Sequence, residues 1–256
     1  MSTYRTSELA HMVGIHPNTV RLYEELHLIP RPERKSNGYR VFTALHVEQI
    51  KLVKLALQVE IVQNGLRKQA MEIIKTSASS NFSKAISLAE QYLQQIKEEQ
   101  SRAEEAISIV EKLLSRKDDT QATDSTVALT RKEAADLMRI SMDALRNWEL
   151  NGLLTVTRKH NGYRMYSNDD LHRLKIIRCL RCANYSLASI LRMLNTLSLN
   201  PDADIREIIN TPGESDDIIS VCDKLLTSLQ NAEQNALTIL ARLEFMNKNF
   251  SANPPL

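Results

Sequence analysis

Two groups of basic side chains stand out by type and spacing. Arg34, Lys35 and Arg40 surround an Asn37-Gly38 pair, and Arg158, Lys159 and Arg164 surround Asn161-Gly162. Asn-Gly favours a tight hairpin, because both residues tolerate a left-handed backbone. A hairpin at each place would gather three cations, which suits holding phosphates rather than breaking bonds. Arg21 and Arg146 lie on predicted helices. Cys179-x-x-Cys182 has the spacing of half a zinc site, but no second Cys or His pair completes it. The six histidines are scattered without ligand spacing. No glycine-rich phosphate loop, nucleophile motif or convergent carboxylate pair is evident. The expectation is therefore no enzyme, no metal and no cofactor.

The charge distribution points the same way. Residues 1–70 carry 10 Lys+Arg against 6 Asp+Glu, and residues 125–200 carry 12 against 6. The remaining residues carry 11 against 19. Basic modules thus alternate with acidic ones, and the basic ones point to a polyanion. With 256 residues the chain has room for one or two domains. Only 6 Gly and 7 Pro favour helices over turn-dense β structure. Three cysteines make no disulfide framework, no apolar run is long enough to span a bilayer, and MSTYRTSELA lacks a signal-peptide core. A cytoplasmic protein with no membrane partner is expected.

The modules that carry the basic clusters are copies of one another. Asn37-Gly38-Tyr39-Arg40 recurs 124 residues later as Asn161-Gly162-Tyr163-Arg164. Upstream the offset is 125, where Glu8, Ala10, Ile15, Arg21, Glu24 and Leu28 meet Glu133, Ala135, Ile140, Arg146, Glu149 and Leu153. Each copy reads as helix, turn, helix, hairpin, then more helix. Gly14 ends the first helix, and Pro17 opens the second, where its missing N–H costs nothing. In the second copy Thr130 and Glu133 form a capping box, and Ser141 caps the next helix. Further helices are predicted near 43–57, 66–76, 168–182 and 186–197.

Asn18-Thr19-Val20-Arg21-Leu22-Tyr23-Glu24, then Leu28-Ile29 and Asn37-Gly38-Tyr39-Arg40-Val41-Phe42, resembles the DNA-binding domain of the MerR family of transcription regulators. Asp143-Ala144-Leu145-Arg146-Asn147-Trp148-Glu149, Gly152-Leu153-Leu154 and Asn161-Gly162-Tyr163-Arg164-Met165-Tyr166 resembles it a second time. The resemblance implies a winged helix-turn-helix with its second helix in the major groove and its wing on the backbone. It implies DNA contacts from Asn18, Thr19, Arg21, Tyr23, Arg34, Lys35, Tyr39 and Arg40, and from Arg146, Trp148, Arg158, Lys159, Tyr163 and Arg164. Tyr23 and Trp148 have two readings, a hydrogen bond to phosphate or packing against the next helix. Glu24 and Glu149 are expected to orient an arginine. The copies differ where Thr19 becomes Ala144 and Asn18 becomes Asp143, which would repel phosphate unless it caps the helix.

The acidic modules read as coiled-coil helices. Ile86, Ala89, Leu93, Ile96, Gln100, Ala103, Ile107, Val110 and Leu114 keep a 3,4 spacing, with Gln100 the polar residue that would fix register. Ile218, Cys222, Leu225, Leu229, Ala232, Ala236, Ile239, Leu243, Met246 and Phe250 repeat the spacing. The fold class is mainly α: two winged helix-turn-helix domains, each with a small β-hairpin wing, joined and followed by long coiled-coil helices. The divisions fall at 1–80, 81–118, a linker 119–126, 127–212, 213–250 and a tail 251–256.

The order domain, helix, domain, helix suggests that one chain folds as a pseudo-dimer. A homodimer with four DNA-binding domains is the rival. The expected partner is double-stranded DNA with an imperfect palindrome. RNA polymerase is engaged only indirectly, through distorted promoter DNA, and an unknown small-molecule effector has room only in a small pocket. The competing functions are sequestration of a drug or toxin on the same scaffold, and an architectural DNA-binding role.

Overall fold

The computed structural model describes residues 2–58, 65–115, 128–157, 163–211 and 224–251. The chain divides into two compact units, Met1–Glu98 with Leu229–Leu256, and Glu99–Ser228.

The first unit opens with α1 (Thr6–Val13) and α2 (Pro17–Glu25). Gly14 ends α1 at φ +65°, a backbone that only glycine adopts without strain, and donates to the Ala10 and His11 carbonyls. His16 caps α2, its side chain accepting from the Asn18 N–H, and Pro17 takes the first helical position. Strands β1 (Glu33–Arg34) and β2 (Arg40–Val41) pair antiparallel, with Glu33 opposite Val41 and Arg34 opposite Arg40. This is the wing, turned at Gly38 with φ +81°. Helices α3 (Ala44–Leu57) and α4 (Leu66–Ala78) follow. One core holds Leu9, Ala10, Val13, Val20, Ile29, Phe42, Val47 and Ile50. It forms because the apolar faces of α1, α2 and α3 converge under the wing.

A long helix, α5 (Phe82–Ser115), gives its first half to this unit and its second half to the other. Residues of α11 (Leu225–Phe250) from Leu229 onward belong to the first unit. Phe82, at the start of α5, packs with Met246 and Phe250 near the end of α11 and with Leu45 of α3. Lys97, further along α5, lies 3.9 Å from Glu233, earlier in α11. As one helix advances the other recedes, so these segments run antiparallel. Arg242 of α11 also pairs with Glu48 of α3.

The second unit repeats the plan. Strand β3 (Leu129–Thr130) leads into α6 (Arg131–Met138), then α7 (Met142–Leu150), β4 (Met165–Tyr166), α8 (Asn168–Cys182) and α9 (Leu187–Leu199). The capping box of Thr130 with Glu133 and the Ser141 cap form as expected. Arg139 takes the left-handed place of Gly14, at φ +50°. β3 pairs with β4, Leu129 opposite Tyr166 and Thr130 opposite Met165. A short helix, α10 (Ile205–Asn210), follows α9. It is capped by Asp204, whose carboxylate accepts from the Glu207 N–H.

The second half of α5 docks on this unit. The Ala106 carbonyl accepts from the Cys179 thiol, His172 Nε2 bonds the Leu113 carbonyl at 2.9 Å, and Asn184 donates to Glu99.

The α11 seam from Leu225 to Met246 is buried as its spacing predicted, while Ile218 and Cys222 lie outside the described residues. The α5 seam needs correction. Ala89, Ile96, Ala103, Ile107 and Val110 are buried, but Ala85, Tyr92, Glu99 and Ala106 are buried too, and Gln100 is only half-buried. The polar residue on the seam is Glu99, held by Arg102 and Asn184. The cause is that α5 packs on more than one side. Gln69 of α4 donates to its Gln95, and α8 lies against its second half. Among the described residues no helix is long and apolar enough to cross a membrane, and no cluster of three or more His, Cys, Asp or Glu could hold a metal.

Candidate nucleic-acid interface

Helix α2 turns Val20 into the core and leaves Asn18, Arg21, Leu22 and Glu25 on one exposed face. That spacing of three, four and seven residues is one side of a helix. Arg21 Nη1 donates to Asn18 Oδ1 at 3.3 Å, which places the two side chains together one turn apart. Helix α7 buries Leu145 and Trp148 and exposes Asp143, Arg146, Asn147 and Leu150 on the corresponding face.

The wing is tied to α2 through Glu24. Arg40 Nε donates to its carboxylate at 2.5 Å, and Arg34 Nη2 stands 3.7 Å from the other oxygen. Arg34 and Arg40 face each other across the hairpin. Like charges so placed repel, and Glu24 offsets that repulsion. The second unit has the same device. Glu149 accepts from Arg164 Nε and from Arg131 Nη2, each at 2.7 Å, and from the Tyr166 hydroxyl. Burial, then the bond to Glu149, pushes the Tyr166 hydroxyl up to about 12, so it stays a donor. Glu24 and Glu149 orient arginines, as expected. Arg131 carries no signal in the sequence, because its partner is eighteen residues away and its counterpart in the first copy is Thr6.

Behind each face a polar side chain fixes the loop that follows α2 or α7. Gln49, fully buried, donates to the carbonyls of Leu28 and Ile74 at 2.9 and 3.0 Å and accepts from Ser77. Arg173 stands in its place in the second unit and donates to the Leu153 carbonyl at 2.6 Å. Leu28 and Leu153 are equivalent, so the duplication extends to the hydrogen bonds.

The residues expected at DNA fall into three groups. Asn18, Arg21, Arg34, Lys35 and Arg146 are exposed, and Thr19 is half-exposed on the same helix. Tyr39 and Tyr163 are 70% and 69% exposed. Arg40 and Arg164 are partly covered and held by their glutamates. Tyr23 is half-buried against the core, and burial raises its hydroxyl pKa. Trp148 is only 6% exposed, which gives it the packing role rather than the phosphate contact. Arg158 and Lys159 lie outside the described residues, as does the Asn161-Gly162 turn. Thr3, Arg5, Lys35, Asn37, Tyr39 and Arg40 line a polar concavity of about 470 Å³ beside the first wing.

Two small helix-turn-helix modules, each with an arginine exposed on its second helix and the first with a described hairpin wing, have the winged helix-turn-helix form. Comparison with known proteins narrows this further. Residues 5–42 match the MerR family regulatory protein family, and residues 129–197 match the MerR HTH family regulatory protein family. Each module thus matches a MerR family model over its own helix-turn-helix segment. It is 35% identical over 65 residues to a mercuric resistance operon regulatory protein of Bacillus cereus, covering 25% of this chain and 49% of that one. It is 37% identical over 62 residues to the HTH-type transcriptional regulator CueR of Yersinia pestis, covering 24% and 45%. It is 39% identical over 77 residues to a probable heavy metal-dependent transcriptional regulator of Haemophilus influenzae, covering 30% and 59%. The chain spans about half the length of the curated relatives it matches. No solved structure matches it significantly.

Proposed function

We propose that the protein is a sequence-specific DNA-binding transcription regulator that acts at promoters as a single-chain pseudo-dimer. The observation that carries this is the doubled site: α2 and α7 both expose an arginine, and a glutamate on each helix grips the wing arginine. Relatives named as transcriptional regulators support the same reading. An arginine on a groove-facing helix supplies base contacts, and the wings supply phosphate contacts.

The pseudo-dimer is supported by long-helix contacts made within one chain. The end of α11 packs with the start of α5 and with α3, all in one chain, and the end of α5 packs on α8. A MerR-type dimer joins two such domains through paired helices, and here one chain supplies both. The operator then is an imperfect palindrome, because the two reading faces differ. Distortion of promoter DNA between the half-sites is how such a clamp would reach RNA polymerase without touching it.

A cavity of about 400 Å³ in the second unit, walled by Leu114, Ile176, Leu194 and Leu197 with Asp169, His172 and Ser198 at its polar side, is the place for a small-molecule effector. Genomic footprinting tests the main reading. Protected sites sharing two unlike half-sites support it. Protection with no common sequence favours an architectural role instead.

A further inference from the structure

The two exposed faces differ at the position three residues before the arginine, where Asn18 of α2 is matched by Asp143 of α7. An aspartate there has three ordinary explanations: it caps the helix, it pairs with a neighbouring cation, or it favours the helix N-terminus by its charge. The structure removes the first two. Ser141 is the cap, its hydroxyl accepting from the Ala144 N–H at 3.0 Å. Among the described residues, neither Asp143 nor Arg146 has a side-chain hydrogen bond or ion pair. Yet Asp143 stands three residues before Arg146, as Asn18 stands before Arg21, and that pair touches at 3.3 Å. Asp143 thus shares with Arg146 the exposed face and first turns of α7.

We propose that Asp143 is a specificity-determining residue, which accepts a hydrogen bond from the exocyclic amine of a cytosine in the major groove. The proposal rests on the DNA-binding reading above. A carboxylate is an acceptor only. It is repelled by phosphates, by guanine O6 and N7, and by thymine O4. Cytosine offers an amine with no neighbouring acceptor on that edge. Adenine also has an amine, but its N7 asks for a donor beside it, which an amide supplies and a carboxylate does not. Asn18 therefore suits adenine and Asp143 suits cytosine. The two heads read different bases at matching positions, and the operator is asymmetric by construction. A chain that holds both heads can use such a site, since the order of the heads is set covalently.

The test uses the full chain and duplexes randomised across both half-sites, with the wild type, Asp143→Asn and Asp143→Ala, each also melted thermally. The expected wild-type result is a cytosine preferred by roughly tenfold at one position of one half-site. Asp143→Asn moves that preference to adenine, and Asp143→Ala levels it, with the other half-site unchanged in all three. If all three proteins select the same bases and differ only in melting temperature, the residue serves the helix N-terminus alone and the proposal is overturned. A wild-type chain that selects no sequence at all overturns the DNA-recognition reading and this inference with it.

Discussion

Arg40 of the wing donates through Nε to the Glu24 carboxylate of the reading helix over 2.5 Å. The bond ties the wing hairpin to helix α2. It also explains an acidic side chain kept beside two arginines. The second module repeats the relationship with Arg164 and Glu149. A carboxylate that holds two guanidinium groups costs some long-range attraction to DNA, and it gives a preorganised surface in return.

Glu24→Gln should therefore weaken binding to the cognate site although it removes a negative charge. Arg34 and Arg40 would repel across the hairpin, and the wing would lose its fixed pose. Loss of the charged hydrogen bond should destabilise the first unit by on the order of 2 kcal/mol. Fluorescence anisotropy on cognate and random duplexes checks this. Tighter cognate binding by the variant would show that charge, and not geometry, is the limiting factor.

Arg21→Ala and Lys35→Ala should fail in different ways. Arg21 sits on the reading face, and its loss should cost on the order of 1–3 kcal/mol at the cognate site with little effect on random DNA. Lys35 sits on the wing, and its loss should weaken all sequences alike and reduce the salt slope by about 0.9. Titrations at several salt concentrations separate the two. A change in salt slope for Arg21→Ala, with no change in specificity, would move it to the phosphate contacts.

Gln49→Leu should be among the most damaging changes outside the exposed surface. It leaves the Leu28 and Ile74 carbonyls without their side-chain donor inside the protein. The expected loss is roughly 2–4 kcal/mol in urea unfolding. A variant as stable as the parent would mean that the loop after α2 is held by other contacts.

Stability should fall with acid through His46. Burial pushes its pKa down from 6.5 to about 4. Between those values the unfolded chain binds a proton that the folded chain does not, so stability is full above 6.5 and declines as pH falls toward 4. The loss is on the order of 3 kcal/mol. Melting curves of His46→Gln should show a flatter acid limb. An unchanged limb would assign the acid sensitivity to other groups.

Local signals in the sequence located the elements well where one residue type decides the backbone. Pro17, Gly14, Ser141 and the box of Thr130 with Glu133 mark helix ends because each satisfies or removes a terminal backbone group. The α11 seam is legible because one face of that helix is buried along its described length. The α5 seam is less so. Neighbours on more than one side bury Tyr92 and Glu99 beside the expected positions, and the heptad records only one partner. The site divides in the same way. Arg21, Arg146 and Tyr39 were visible as residue types at helix and hairpin positions. The role of Arg131 depends on a contact across two helices, and the burial of Trp148 depends on the volume behind α7. Neither has a signature in spacing.

The most direct measurement is the mass of the protein free and on DNA, by light scattering at low micromolar concentration. One chain carrying both reading helices on its own paired rods should weigh 29.1 kDa in solution and add a single copy of that mass to a duplex with two half-sites. A species of about 58 kDa with no 29.1 kDa form, or two chains on each duplex, would contradict the single-chain clamp.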